Sequence, residues 1–183
     1  MGVIECINQS RAVRCYAQEP VSRDVIQAIL LAGRASGSGK NSQAWHFILV
    51  TDKAQLKDLS ETGRYAGHLA EAAFGVVITS KPNPHVPGIA WFDAGRASQN
   101  MILAATHHGL GSCPVGFRDL PEKASQLLSV PESQEIIIGI AFGYPDTSRL
   151  AEEQRFRHEV LDQQGRRPLD TLVSENAFGD PLR

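Results

Sequence analysis

The chain has 183 residues, 42% of them hydrophobic and 21% charged, and a formal net charge of -2. That length suits one well-buried domain, and the near-neutral charge supplies no basic field for nucleic acid or anionic lipid. No apolar run reaches the ~18 residues of a membrane span, and Met1 to Glu5 lacks the basic-then-apolar order of a secretory signal, so a cytoplasmic protein with no membrane partner is expected.

In chain order, Ser22 is placed to cap a helix running to Arg34, with Val25, Ile26, Ile29, Leu30 and Gly33 on one face. A loop of small residues follows. Trp45 to Thr51 reads as a buried strand, and Asp52 as the cap of a helix over Lys53 to Glu61. His68 to Ala73 is expected to be helical and to feed a strand over Gly75 to Ser80. Lys81 to Gly88 carries three prolines and must be a loop. Ile89 to His108 is the longest predicted helix, ending at Gly109, and its many Ala, Gly and Ser residues allow close backbone approach. It should therefore be central and lie at a subunit contact.

Leu110 to Phe117 reads as a glycine-punctuated turn, Pro121 opens a short helix to Leu128, and Glu135 to Phe142 reads as a strand buried on both faces. Gly143-Tyr144-Pro145 ends that strand. A charged helix over Leu150 to Gln163 leads to Gly165-Arg166-Arg167-Pro168 and then to a tail, Leu169 to Arg183, too polar to form a core alone. This order fits an α+β sandwich around a central sheet.

The loop Gly33 to Asn41 invites comparison with a phosphate-binding loop, in which glycine amides and a lysine surround a triphosphate. The spacing fails: five residues separate Gly33 from Gly39-Lys40, no Ser or Thr follows the lysine, and the preceding element is a helix. A plain flexible connector is the simpler alternative. However, Ser38, Asn41, Gln43, Trp45 and Phe47 match the Pro-Ser-x-x-Asn-x-Gln-Pro-Trp-x-Phe signature of the nitroreductase family, with Gly37 and Ala44 standing at its two prolines. Arg11-Ala12-Val13-Arg14-Cys15-Tyr16 resembles that family's opening arginine motif. Asp93-Ala94-Gly95 with Gln99-Asn100, and Gly109 to Gly116, resemble its central helix and the turn under its flavin. With Gly143-Tyr144-Pro145 and Arg166 to Leu169, the resemblance spans nearly the whole chain.

The resemblance implies a nitroreductase-like three-layer α+β sandwich, with a mixed or antiparallel sheet between helices, in a single domain over 1–183 whose last residues, 169–183, form an arm. It implies FMN as cofactor, NADH or NADPH as electron donor, and a homodimer with the FMN site composed at the interface. Arg11, Arg14, Arg166 and Arg167 would grip the FMN phosphate, since planar guanidinium groups hold phosphate oxygens with charge-assisted hydrogen bonds. Ser10 stands where the family has an arginine and Ala12 where it has a serine; Ser10 could donate instead. Each uncompensated loss costs about 1.5 to 3 kcal/mol of phosphate binding.

By the same resemblance Arg14 lies near N1 and O2 of the flavin, the Gly116 amide faces N5, and Pro114 and Val115 pack beneath the ring. Ser38, Asn41 and Gln43 line its edge or its ribityl chain, whereas Trp45 is read as core. No side chain need act as a general acid, because the cofactor carries the chemistry. The implied activity is a ping-pong oxidoreductase that reduces nitroaromatics or quinones. The alternatives are a specialised or oxidative flavin enzyme of the same fold and a non-enzymatic flavin-binding protein. The three cysteines, Cys6, Cys15 and Cys113, show no CxxC spacing, and His107-His108 points to two helix faces, so no metal is expected.

Overall fold

β-Branched and aromatic runs build the sheet. In the computed structural model, which describes residues 1–83, 85–86, 88–150 and 167–181, four strands are found: β1 (Trp45–Val50), β2 (Phe74–Ser80), β3 (Gly111–Val115) and β4 (Glu135–Gly143). They hydrogen-bond in the order β1-β2-β4-β3, and every pair is antiparallel. The central strands are the apolar ones. β2 is buried along its whole length, and Phe74, Val76 and Ile78 face Phe142, Ile140 and Ile138 across the β2/β4 pair. The rings of Phe74 and Phe142 stack at 4.9 Å between centroids, a geometry that adds to simple area burial.

Among the described residues five α-helices accompany the sheet: α1 (Val3–Gln9), α2 (Arg23–Arg34), α3 (Lys53–Ser60), α4 (Ile89–His107) and α5 (Pro121–Leu127). The expected caps are present, Ser22 Oγ accepting from the Val25 amide at 3.4 Å and Asp52 Oδ1 from the Gln55 amide at 2.7 Å. One sheet face is covered by α2 and α4, whose Ile26, Ile29, Ala94, Ala97, Met101 and Ala105 join Phe74, Val76 and Ile78 in one core. Small residues set the spacing here: a Cβ on Gly33 would stand 2.1 Å from Met101 Cε. The other face meets α3 and the 3-10 turn Gly67–Glu71, since a Cβ on Gly75, which points away from Phe74 and Val76, would contact Leu56 and Leu69. Helices on both faces of a sheet give the three layers expected.

Several elements differ from the sequence reading. Gly111–Val115 is an edge strand rather than a turn; Pro114 can sit there because an edge strand has one side free of ladder bonds. His68 to Ala73 reduces to the 3-10 turn Gly67–Glu71. The antiparallel sheet agrees with the mixed or antiparallel one expected, and among the described residues Ala12 makes a parallel bridge with Ser112. β1 is an edge strand, buried fully only at Val50. Helix α1 had no counterpart in the sequence reading, because Val3, Ile4 and Ile7 are exposed and only Cys6 is buried, leaving no inward stripe to recognise.

The chain divides into two compact units, Met1–Asp146 and Thr147–Arg183. All the elements above belong to the first. In the second, Leu169–Thr171 forms a 3-10 turn and Ser174 bridges Pro181, with the Glu175 amide donating to Asp180 O at 2.9 Å. Beyond Leu150, the charged helix expected to Gln163 lies outside the described residues, as do Pro84 and Pro87 of the proline loop. No helix among the described residues is long and apolar enough to cross a membrane.

Candidate functional site

The first arginine segment is built onto the sheet edge. The Val13 amide donates to Ser112 O at 2.9 Å, and the Ala12 to Ser112 bridge is parallel, so the chain from Ala12 to Arg14 runs in the same direction as β3 from Ser112 to Pro114. Val13 is seated by Gly111, where any Cβ would fall 2.6 Å from the valine Cβ. Tyr16 locks the far end: its side chain is 1% exposed, its hydroxyl donates to Val13 O at 2.6 Å, and its backbone bridges Pro145. Arg14 is half-buried between these anchors. Arg11 is exposed and uses Nη1 to cap the C-terminus of α1, donating to Asn8 O at 2.8 Å and Ser10 O at 2.7 Å. Ser10 is the C-terminal cap of α1 itself.

Along β3 the side chains alternate. Pro114 and Gly116 are exposed on the outward side, whereas Val115 is 2% exposed and packs inward, where a Cβ on Gly139 would meet it at 2.7 Å. Only the backbone of Val115 therefore reaches the outward side. A Cβ placed on Gly116 would find nothing nearer than Arg118 Cγ at 3.8 Å. The backbone there is open to close approach by a flat molecule. Cys113 is buried with its Sγ 3.5 Å from Pro114 O.

The second cluster is the loop after α2, and it rests on α4. Three α4 residues at helical spacing, Asp93, Arg96 and Asn100, meet successive loop residues. Asn100 Nδ2 donates to Ser36 Oγ at 2.8 Å. The Arg96 guanidinium lies over Gly37, where a Cβ would come within 2.6 Å of Nη2, and also over the Phe92 ring at 5.7 Å. Asp93 Oδ2 accepts from the Gly39 amide at 3.1 Å. This polar ridge was not singled out from the sequence, in which Asp93 and Asn100 appeared only within motifs.

Beyond Gly39 the loop is held in an unusual shape. Lys40, Asn41 and Gln43 have φ of 52, 54 and 45°, a left-handed conformation that costs roughly 1 to 2 kcal/mol per residue other than glycine, with asparagine the most tolerant. Ser38 Oγ accepts from the Gln43 amide at 2.9 Å and closes the turn. Ser38 is half-buried and Asn41 and Gln43 are exposed. Trp45 stacks on Phe47 at 6.1 Å and packs against the core.

Arg166 lies outside the described residues. Arg167 is exposed in the second unit, where Nη2 donates to Thr171 O at 2.9 Å. The His107 and His108 rings stand at 82° to each other and are exposed.

Residues 7–64 and 60–144 match the model of the nitroreductase family. The chain belongs to the nitroreductase family. Among curated nitroreductases and their kin, it is 31% identical over 78% of its length to an Archaeoglobus fulgidus protein provisionally named NADH dehydrogenase/NAD(P)H nitroreductase, covering 84% of that protein. It is 26% identical to the NADPH-flavin oxidoreductase of Vibrio harveyi, over 88% of this chain and 73% of the relative. The solved structure of a Vibrio harveyi NADPH:FMN oxidoreductase complexed with NAD+ superposes with a TM-score of 0.81 at 26% identity, covering 97% of this chain and 78% of that one.

Proposed function

We propose that this nitroreductase is an FMN-dependent NAD(P)H oxidoreductase that reduces electron-poor acceptors such as nitroaromatics or quinones, donor and acceptor using one site in turn. The observation that carries this reading is the exposed backbone at Gly116, open where any side chain would stand, at the end of a strand along which Arg14 is docked. When bound, FMN supplies the hydride-accepting and hydride-donating centre. Related proteins named as flavin oxidoreductases and FMN reductases support the choice of cofactor.

The chain's own residues do the rest. Gly116 leaves room for the ring and offers its amide to it, and exposed Pro114 supplies a rigid apolar surface beside it. Arg14 and Arg11 provide cations for the phosphate and for negative charge on the ring, and Ser10 a hydroxyl; the family resemblance adds Arg166 and Arg167 as further cations. Ser38, Asn41 and Gln43 contribute polar groups from the loop on α4. A second copy of the chain completes the site: Val3 and Ile4 on α1 are each 70% exposed and Phe92 on α4 is 62% exposed, an unusual apolar surface for a monomer. The segment from Leu169 is the arm that reaches the other copy.

Absorbance spectroscopy of purified protein incubated with FMN tests this directly. Flavin bands that stay with the protein through desalting, and bleach on anaerobic addition of NADH or NADPH, are expected. Protein that takes up no FMN, or whose FMN is not reduced by either nucleotide, defeats the proposal.

A further inference from the structure

The loop that offers Ser38 and Asn41 holds a strained shape without the proline that stands at position 37 in the family signature, so something else must hold it. Asp93 is the candidate. It is 4% exposed, its Oδ2 accepts from the Gly39 amide at 3.1 Å, and its Oδ1 is buried with no hydrogen-bond partner. A carboxylate with one buried orphan oxygen is costly to bury, and a neutral side chain would serve packing better. What the charge contributes is a strong acceptor at one backbone amide, immediately before the left-handed run at Lys40, Asn41 and Gln43.

We propose that Asp93 is the positioning residue of this loop: its carboxylate fixes the Gly39 amide and so presets Ser38 and Asn41 for the flavin. The inference rests on the proposed function for the flavin and on the geometry alone for the loop. Arg96 over Gly37 and Asn100 on Ser36 steady the approach to Gly39, but neither holds the residues after it. Asp93 stands at the boundary between the steadied part and the strained part.

Hydrogen exchange of the Gly39 amide in flavin-free protein, together with FMN affinity, tests it in Asp93→Ala, Asp93→Ser and Asp93→Asn. Alanine removes the acceptor, serine is too short to reach, and asparagine keeps an oxygen for the amide. Losing a hydrogen bond to a charged group predicts exchange about 10- to 100-fold faster in the alanine and serine variants, with a weakening of FMN binding of similar order. Asparagine keeps an acceptor but not the charge, so it should recover part of both and fall between wild type and alanine. Should alanine fail to fold, serine, which leaves a polar group in the buried position, carries the same comparison. Unchanged Gly39 exchange in either short variant overturns the tether. Faster exchange with unchanged FMN affinity overturns its service to the flavin. Wild-type protein that binds no FMN fails the flavin reading alone, because exchange is read without it.

Discussion

At Gly116, space and conformation can be separated from function. A Cβ there meets nothing within 3.4 Å, and the φ is not left-handed, so the fold should accept Gly116→Ala with a stability change within about 0.5 kcal/mol. The same methyl would stand between the backbone and a bound ring. Rapid-mixing measurement of flavin reduction by NAD(P)H should show hydride transfer slowed by about 10- to 100-fold, the scale of a misplacement near 1 Å. A variant reduced as fast as wild type would detach the reaction from this strand end. Arg14 makes the complementary case. Its segment is clamped on both sides by Ser112 and Pro145, so Arg14→Gln leaves the backbone in place while removing the cation. FMN dissociation constants measured by fluorescence should rise by about 10- to 100-fold, and an unchanged constant would remove Arg14 from the binding set.

Among the elements, the turn that follows α3 decides how firmly Gly116 is held. Thr62 O accepts from the Leu120 amide at 3.1 Å, Asp119 Oδ2 accepts from the Arg64 amide at 2.5 Å, and between them a Cβ on Gly63 would stand 2.5 Å from Gly116 O. That neighbour is backbone and cannot swing aside. Gly63→Ala should therefore push the 116–117 peptide outward, lowering stability by about 1 to 3 kcal/mol in denaturant melts and weakening FMN binding as well. Loss of stability with FMN affinity intact would confine the turn to a structural role. The elements also mark what sequence alone could show. Ser22, Asp52 and Pro121 announced their helices because a cap or a leading proline is a local device, and the run Glu135 to Phe142 announced β4 by its unbroken apolar composition. β3 was hidden because Gly111 and Pro114 are poor strand formers; its pairing with β4 is imposed by tertiary contact, not by propensity. The candidate site follows the same division. Its motif residues, Arg11 to Arg14 and Ser38 to Gln43, were legible, whereas the ridge of Asp93, Arg96 and Asn100 resembles any solvated helix face until the loop is seen lying on it.

For the whole molecule, the question is whether one chain suffices. Helix α4, 19 residues long, keeps Ala94, Ala97 and Met101 inward, yet Phe92 and Gly95 on its other side are exposed, and a Cβ on Gly95 would meet nothing within 4 Å. In an isolated chain Gly95→Arg would therefore be harmless, and even slightly favourable, because arginine is the better helix former. In a dimer that packs backbone against backbone along α4, the same arginine would be driven into the partner. Light scattering coupled to size exclusion should give about twice 19.9 kDa for the wild type and close to 19.9 kDa for Gly95→Arg. The helical circular dichroism should be retained while bound flavin is lost, since a site shared between copies disappears with the pairing. A wild-type monomer that binds FMN would instead mean that one chain holds the flavin by itself and that the exposed surface of α1 and α4 serves another purpose.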